Sequence, residues 1–122
     1  MTKILVVEDD AASRDVMARR LQRYGFNLIV AQDGPSGIRA ATEHRPDLIL
    51  MDLALGEIMD GLQAAQAIRS SPETKYIPII AITAFIHDFD REACLRAGCS
   101  DFESQPVDMP RLLRKIRACL SQ

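Results

Sequence analysis

The stretch Leu48-Ile49-Leu50-Met51-Asp52 is an apolar run stopped by a carboxylate, and Ile4-Leu5-Val6-Val7 is stopped in the same way by Glu8-Asp9. Short runs rich in Ile, Val and Leu that end in charge read as parallel strands buried on both faces. In parallel sheets, ligands bind outside the carboxyl ends of the strands. If these two strands are neighbours, Glu8, Asp9 and Asp52 converge at one edge and repel one another unless a cation lies between them. Hard divalent cations such as Mg²⁺ take carboxylate oxygens and keep positions open for water or phosphate.

Working outward, strand-like and helix-like segments alternate. Asp10 is placed to cap a helix running to about Tyr24, with Val16, Met17, Leu21 and Tyr24 on an apolar face, Arg14, Arg19 and Arg23 towards water, and Gly25 as the stop. Asn27 to Ala31 reads as a second strand, and Asp33-Gly34-Pro35 turns into a helix from about Ser36 to His44. Arg45-Pro46-Asp47 breaks it before the strand that ends at Asp52. A helix is expected over Gly61 to Ser70, a strand over Ile77 to Ile82 with Pro78 near its start, and a helix over Asp88 to Ala97 closed by Gly98. A short strand near Ser100 to Glu103 precedes a last helix capped by Asp108, with Met109, Leu112, Leu113, Ile116 and Leu120 inward. This alternation predicts an α/β fold: a doubly wound, flavodoxin-like (βα)5 domain with five parallel strands in the order 2-1-3-4-5. That order sets the first strand beside the third, so Glu8, Asp9 and Asp52 meet.

The 122 residues are expected to form one domain, 1–122, and the 48% apolar content spread along the chain fits a compact core. A formal charge of −2 argues against a nucleic-acid surface. No apolar stretch is long enough to span a bilayer, and Met1-Thr2-Lys3 leads straight into a strand, so a cytoplasmic location without membrane partners is expected. Cys94, Cys99 and Cys119 lack paired metal-type spacing and read as small apolar side chains. His44 and His87 each stand alone, and the basic run Arg111, Arg114, Lys115, Arg117 on the last helix reads as a solvated face.

An aspartate held against a divalent cation can act as a nucleophile towards phosphorus and form an acyl phosphate. Thr83-Ala84 ends the fourth strand at the same edge, where a hydroxyl can donate to a phosphoryl oxygen and a small neighbour leaves it room. Gln105-Pro106 follows the fifth strand, and Phe102 lies three residues before Gln105.

Taken in order, Glu8-Asp9, Asp52, Asp60-Gly61, Thr83-Ala84 and Gln105-Pro106 resemble the response-regulator receiver domain of two-component signalling, over the whole chain. The resemblance implies that Asp52 accepts a phosphoryl group from a histidine kinase or histidine phosphotransfer protein. It implies Mg²⁺ bound by Asp9, Asp52 and the backbone carbonyl of Ala54, with Glu8 acting mostly through water. Thr83 would then move to the phosphoryl group, Phe102 would rotate with it, and the surface of helix four, strand five and helix five would be read by a partner protein. The output would be protein binding rather than turnover of a substrate.

The chain departs from the family's pattern twice. Gln105 stands where the family usually has lysine; glutamine donates a hydrogen bond but brings no charge. Gly56 stands where a proline is common, in a loop through Glu57 and Ile58 that is one residue longer than the usual form. Phe85 and Ala54 occupy places that in this family influence access of hydrolytic water, and both are apolar. The leading expectation is a stand-alone, phosphorylatable receiver, and Gln105 raises the alternative of a pseudo-receiver that binds partners without phosphate. Enzyme readings fit less well. Glu8-Asp9-Asp10 is hostile to a flavin phosphate, and Asp52-Leu53-Ala54 lacks the second acid of aspartate-based phosphatases.

Overall fold

The computed structural model describes residues 1–55, 59–84 and 88–121, with the side chains of 88–90 left aside. Its elements are β1 (Lys3–Val7), α1 (Ala11–Gln22), β2 (Asn27–Ala31), α2 (Gly34–His44), β3 (Leu48–Asp52), α3 (Gly61–Ser70), β4 (Ile79–Thr83), α4 (Asp88–Arg96), β5 (Asp101–Ser104) and α5 (Met109–Leu120). All strand pairs are parallel, in the order β2-β1-β3-β4-β5.

Strand alternation divides the core into two layers. Leu5, Val7, Ile49, Met51, Ile79 and Ala81 pack with Ala41 of α2, Ala64, Ala65 and Ile68 of α3, and Cys94 of α4. Ile4, Val6, Leu48, Leu50, Ile80 and Ile82 face the other way, onto Leu21 of α1 and Leu112 and Ile116 of α5. β3 lies in the middle of the sheet and is buried along its whole length, which is why its sequence is apolar without interruption until Asp52.

Four helices begin on an aspartate whose side chain accepts a backbone N–H: Asp10 from Ser13, Asp33 from Ser36, Asp60 from Gln63 and Asp108 from Arg111. The second helix starts at Gly34, earlier than expected, because Asp33 caps it and Pro35 sits in the first turn, where no N–H is needed. β4 begins after Pro78 and runs through Thr83, and β5 is shifted one residue forward. α4 ends at Arg96, one residue before the expected Ala97.

The expected apolar face of α1 is only half correct. Leu21 is buried, but Val16 is 48% exposed and Tyr24 51% exposed. The helix ends at Gln22, so Tyr24 falls in the following turn, while Val16 lines a cleft beside the acidic edge. Cys94 and Cys99 are buried and Cys119 is half-buried, and none of the three is in a disulfide.

Candidate functional site

The register pairs Val7 with Met51 and Asp52 with Ile82, so the residues just past β1, β3 and β4 emerge side by side. Asp52 closes β3 at 9% exposure, and its Oδ1 accepts the Ala54 N–H at 3.1 Å. Glu8 is held through its backbone: its N–H donates to the Ala31 carbonyl at 3.0 Å, and its carbonyl accepts from Arg14 Nη1 at 3.0 Å. One carboxylate oxygen each from Glu8, Asp9 and Asp52 lies within 4.8 Å of the others.

This crowding has an electrostatic signature. Burial, then the contact with Asp52 and its charge, push the Glu8 carboxyl from 4.5 up to about 8. The set is all hard oxygen donors, and it fits a divalent cation.

The close approach of α3 to β3 shapes the same edge. The Gly61 N–H donates to the Leu53 carbonyl at 3.2 Å. A Cβ at Gly61 would collide with the Asp52 carbonyl oxygen and lie 2.7 Å from Leu53 Cα. Glycine after the Asp60 cap therefore lets the loop beyond Asp52 fold back onto its own strand.

Thr83 closes β4, opposite Ser104 of β5. The Gln105 N–H donates to the Thr83 carbonyl at 2.8 Å, which ties the two strand ends together, and the Gln105-Pro106 peptide is cis. A cleft of about 650 Å³ runs from Glu8 and Asp52 past Ala84 and Gln105 to Val16 and Arg20 of α1. The structure thus gathers Glu8, Asp9 and Asp52 into one cluster and brings Thr83 and Gln105 to the same edge. Phe102 sits back along β5, partly buried against the core. Its ring lies 4.7 Å from Arg91 Cζ and 5.5 Å from Lys115 Nζ. Gly56, Glu57, Ile58, Phe85 and His87 lie outside the described residues. His44 is exposed at the end of α2.

Reading α5 as a uniformly solvated basic face needs correction. Arg114 and Arg117 are exposed, but Arg111 and Lys115 turn inward to Glu103, whose side chain has 0% exposure. Arg111 Nε and Nη2 reach Glu103 Oε2 at 2.8 and 2.6 Å, and Lys115 Nζ reaches Oε1 at 2.8 Å. Lys115 also donates to the Phe102 carbonyl at 2.6 Å. Burial raises the Glu103 carboxyl, but the hydrogen bonds from Arg111 and Lys115 outweigh it and hold it below the ordinary value. A buried charge survives because it is paired and hydrogen-bonded. The signal missed in the sequence is a glutamate inside a strand with two cations on the next helix, one turn apart.

The family profile described as "Response regulator receiver domain" matches residues 4–117. The chain belongs to the response-regulator receiver domain family. It is 33% identical to the polar-differentiation response regulator DivK of Brucella anthropi, over 96% of this chain and 94% of that one. It is 34% identical to DivK of Brucella ovis, over 98% of each. Among solved structures, the receiver domain of sensor histidine kinase PA1611 from Pseudomonas aeruginosa is 34% identical and superposes with a TM-score of 0.91, covering 99% of this chain and 98% of that one. That structure holds a magnesium ion coordinated in its active-site cleft. The chemotaxis protein CheY4 of Vibrio cholerae matches with a TM-score of 0.92 at 25% identity, over 98% of this chain and 99% of that one. This receiver accordingly belongs to two-component phosphorelay signalling. No helix among its described residues is long and apolar enough to cross a membrane.

Proposed function

We propose that this receiver is a phosphorylation switch, with Asp52 as the acceptor and a phosphohistidine of a histidine kinase or histidine phosphotransfer protein as the donor. The observation that carries the reading is the convergence of Glu8, Asp9 and Asp52 within 4.8 Å at an edge shared with Thr83 and Gln105. In the transfer a carboxylate oxygen of Asp52 bonds to phosphorus as the P–N bond breaks. The imidazole nitrogen keeps the bonding pair and takes up a proton. The N–H of Ala54 holds Asp52 in place through its Oδ1. Mg²⁺, when bound, neutralises charge on the transferred group and orients it. Glu8, Asp9, Asp52 and the Ala54 carbonyl are the groups that would hold it, Glu8 largely through water.

The Thr83 hydroxyl donates to a phosphoryl oxygen, and Gln105 adds a neutral donor. A lysine ammonium brings a full positive charge to the anionic phosphoryl oxygens, whereas an amide brings only a hydrogen bond. Loss of a lysine's charge at 105 therefore weakens the phosphorylated state without removing it. Phe102 rotates with Thr83, and the surface of α4, β5 and α5 passes the change to a downstream protein. We place this switch in the cytoplasm, with protein binding rather than substrate turnover as its output.

Intact-protein mass after incubation with Mg²⁺ and a small-molecule phosphodonor tests the reading. Gain of a single phosphoryl group by the wild type and none by Asp52→Asn supports it. A folded protein that binds Mg²⁺ but gains no phosphoryl group defeats it. Gln105 then favours the second reading, a pseudo-receiver that engages partners without phosphate.

A further inference from the structure

We propose that Arg14 is a positioning residue for the acidic cluster: it holds the Glu8–Asp9 peptide so that two of the three carboxylates are set before a cation arrives. This deepens the proposed switch, and it rests on that reading, since it concerns how the same edge takes Mg²⁺.

The geometry starts in the turn between β1 and α1, where Glu8 is tied at three points. Its N–H donates to the Ala31 carbonyl of β2 at 3.0 Å. Its Oε2 accepts the Asp10 N–H at 3.3 Å, and its carbonyl accepts from Arg14 Nη1 at 3.0 Å. The third tie also governs Asp9, because the Glu8 carbonyl and the Asp9 N–H belong to one planar peptide. Fixing the oxygen of that plane fixes the direction in which Asp9 leaves the strand. Asp9 is exposed, so burial does not orient it.

Arg14 is built for this reach. Helical side chains lean towards the N-terminus, which carries the guanidinium from the first turn of α1 back over the preceding turn. The helix is itself anchored there: Asp10 accepts the Ser13 N–H on its side chain at 2.8 Å and the Arg14 N–H on its carbonyl at 2.9 Å. The expectation that Arg14 points towards water is therefore only half correct, for the residue is half-buried. The next arginine along α1, Arg19, pairs with Asp15 at 3.1 Å. Arg14 makes no ion pair among the described residues and places its guanidinium on a main-chain oxygen beside the cluster.

Groups that orient metal ligands from behind typically carry about 10- to 100-fold in affinity. The two common hard cations differ in how much they need such help. Mg²⁺ demands a near-ideal octahedron, whereas Ca²⁺ accepts a looser and more variable set of oxygens. Preset carboxylates thus matter more for Mg²⁺ than for Ca²⁺. An arginine that merely stiffened the fold would affect both ions alike.

The test is calorimetric titration of Mg²⁺ and, separately, Ca²⁺ into wild type, Arg14→Met and Arg14→Lys, with urea unfolding of each metal-free protein. Arg14→Met is expected to lose about tenfold in Mg²⁺ affinity and less in Ca²⁺ affinity, so that the ratio between the ions shifts towards Ca²⁺. Arg14→Lys keeps a donor and should lose less. It carries the same comparison if Arg14→Met does not fold. Unchanged Mg²⁺ affinity, or an equal fall for both ions, would overturn the proposal. A wild type that gains phosphate on Asp52 while its Mg²⁺ affinity ignores Arg14 defeats this inference alone. A shifted ion ratio in a protein that never gains phosphate supports the role of Arg14 and defeats the phosphorylation reading alone. A wild type that binds no Mg²⁺ overturns both.

Discussion

Lys115 of α5 reaches the sealed carboxylate of Glu103 on β5 at 2.8 Å and, with the same ammonium, the Phe102 carbonyl at 2.6 Å. One cation therefore joins the last strand, the last helix and the aromatic residue between them. Truncating it removes a charged donor from two acceptors, although Arg111 still holds Glu103. Lys115→Met is expected to lower unfolding free energy by about 1–3 kcal/mol. Adding Glu103→Leu and Arg111→Met should recover much of that loss, since an apolar replacement of a whole buried ion cluster is often neutral. Urea denaturation checks both, and a triple variant weaker than the single one would contradict the account.

Stability of the metal-free protein should depend on pH in the sense that Glu8 dictates. Its folded carboxyl titrates at about 8, against an ordinary 4.5, so between those values the folded state keeps a proton that the unfolded chain has released. Stability is then fully present below 4.5 and is lost as pH rises through about 8. Denaturation midpoints measured without Mg²⁺ across this range should fall with pH in the wild type and stay flatter in Glu8→Gln. Parallel profiles would exclude Glu8 as the source.

Glu103 acts with the opposite sign. Its folded carboxyl lies below the ordinary value, so its contribution is present above the unfolded value of 4.5 and is lost as pH falls through the folded one. Glu103→Gln should narrow the gap between neutral and acidic stability, read from the same denaturation series.

The missing charge at position 105 has a thermal consequence. Three carboxylates share the edge with a neutral glutamine, so a divalent cation relieves more repulsion here than where an ammonium already stands beside them. Saturating Mg²⁺ should raise the melting temperature of the wild type more than that of Gln105→Lys. Equal shifts would remove this role from Gln105.

Gly61→Ala drives a methyl into the backbone at Asp52 and Leu53. A loss of about 1–3 kcal/mol is expected, as for other overpacked sites. Because the displaced atoms belong to the strand end that carries Asp52, Mg²⁺ affinity measured by calorimetry should fall as well. A variant with both quantities unchanged would show that α3 yields instead.

The order of strands and helices was legible because each buried strand advertises itself as an apolar run and most helices open on an aspartate, as Asp10, Asp33, Asp60 and Asp108 do. The acidic cluster was legible once β1 was placed beside β3, since Glu8, Asp9 and Asp52 simply continue those runs. Features made by tertiary packing were not. Glu103 looks like a surface residue in the sequence, and only its position in β5 under α5 shows where the charges of Arg111 and Lys115 go. Val16 obeys the helical period yet stays half exposed, because a cleft rather than a neighbouring element lies over it.

The bond from the Gln105 N–H to the Thr83 carbonyl is made by main chain alone. Any residue with a backbone N–H can therefore occupy position 105 and leave the sheet edge intact. Glutamine and lysine codons differ by a single base, so one substitution can reset the charge of the pocket without disturbing its scaffold. Position 105 is in that sense an inheritable tuning point: lineages can alter the charge beside the acidic cluster while the architecture that carries it stays the same.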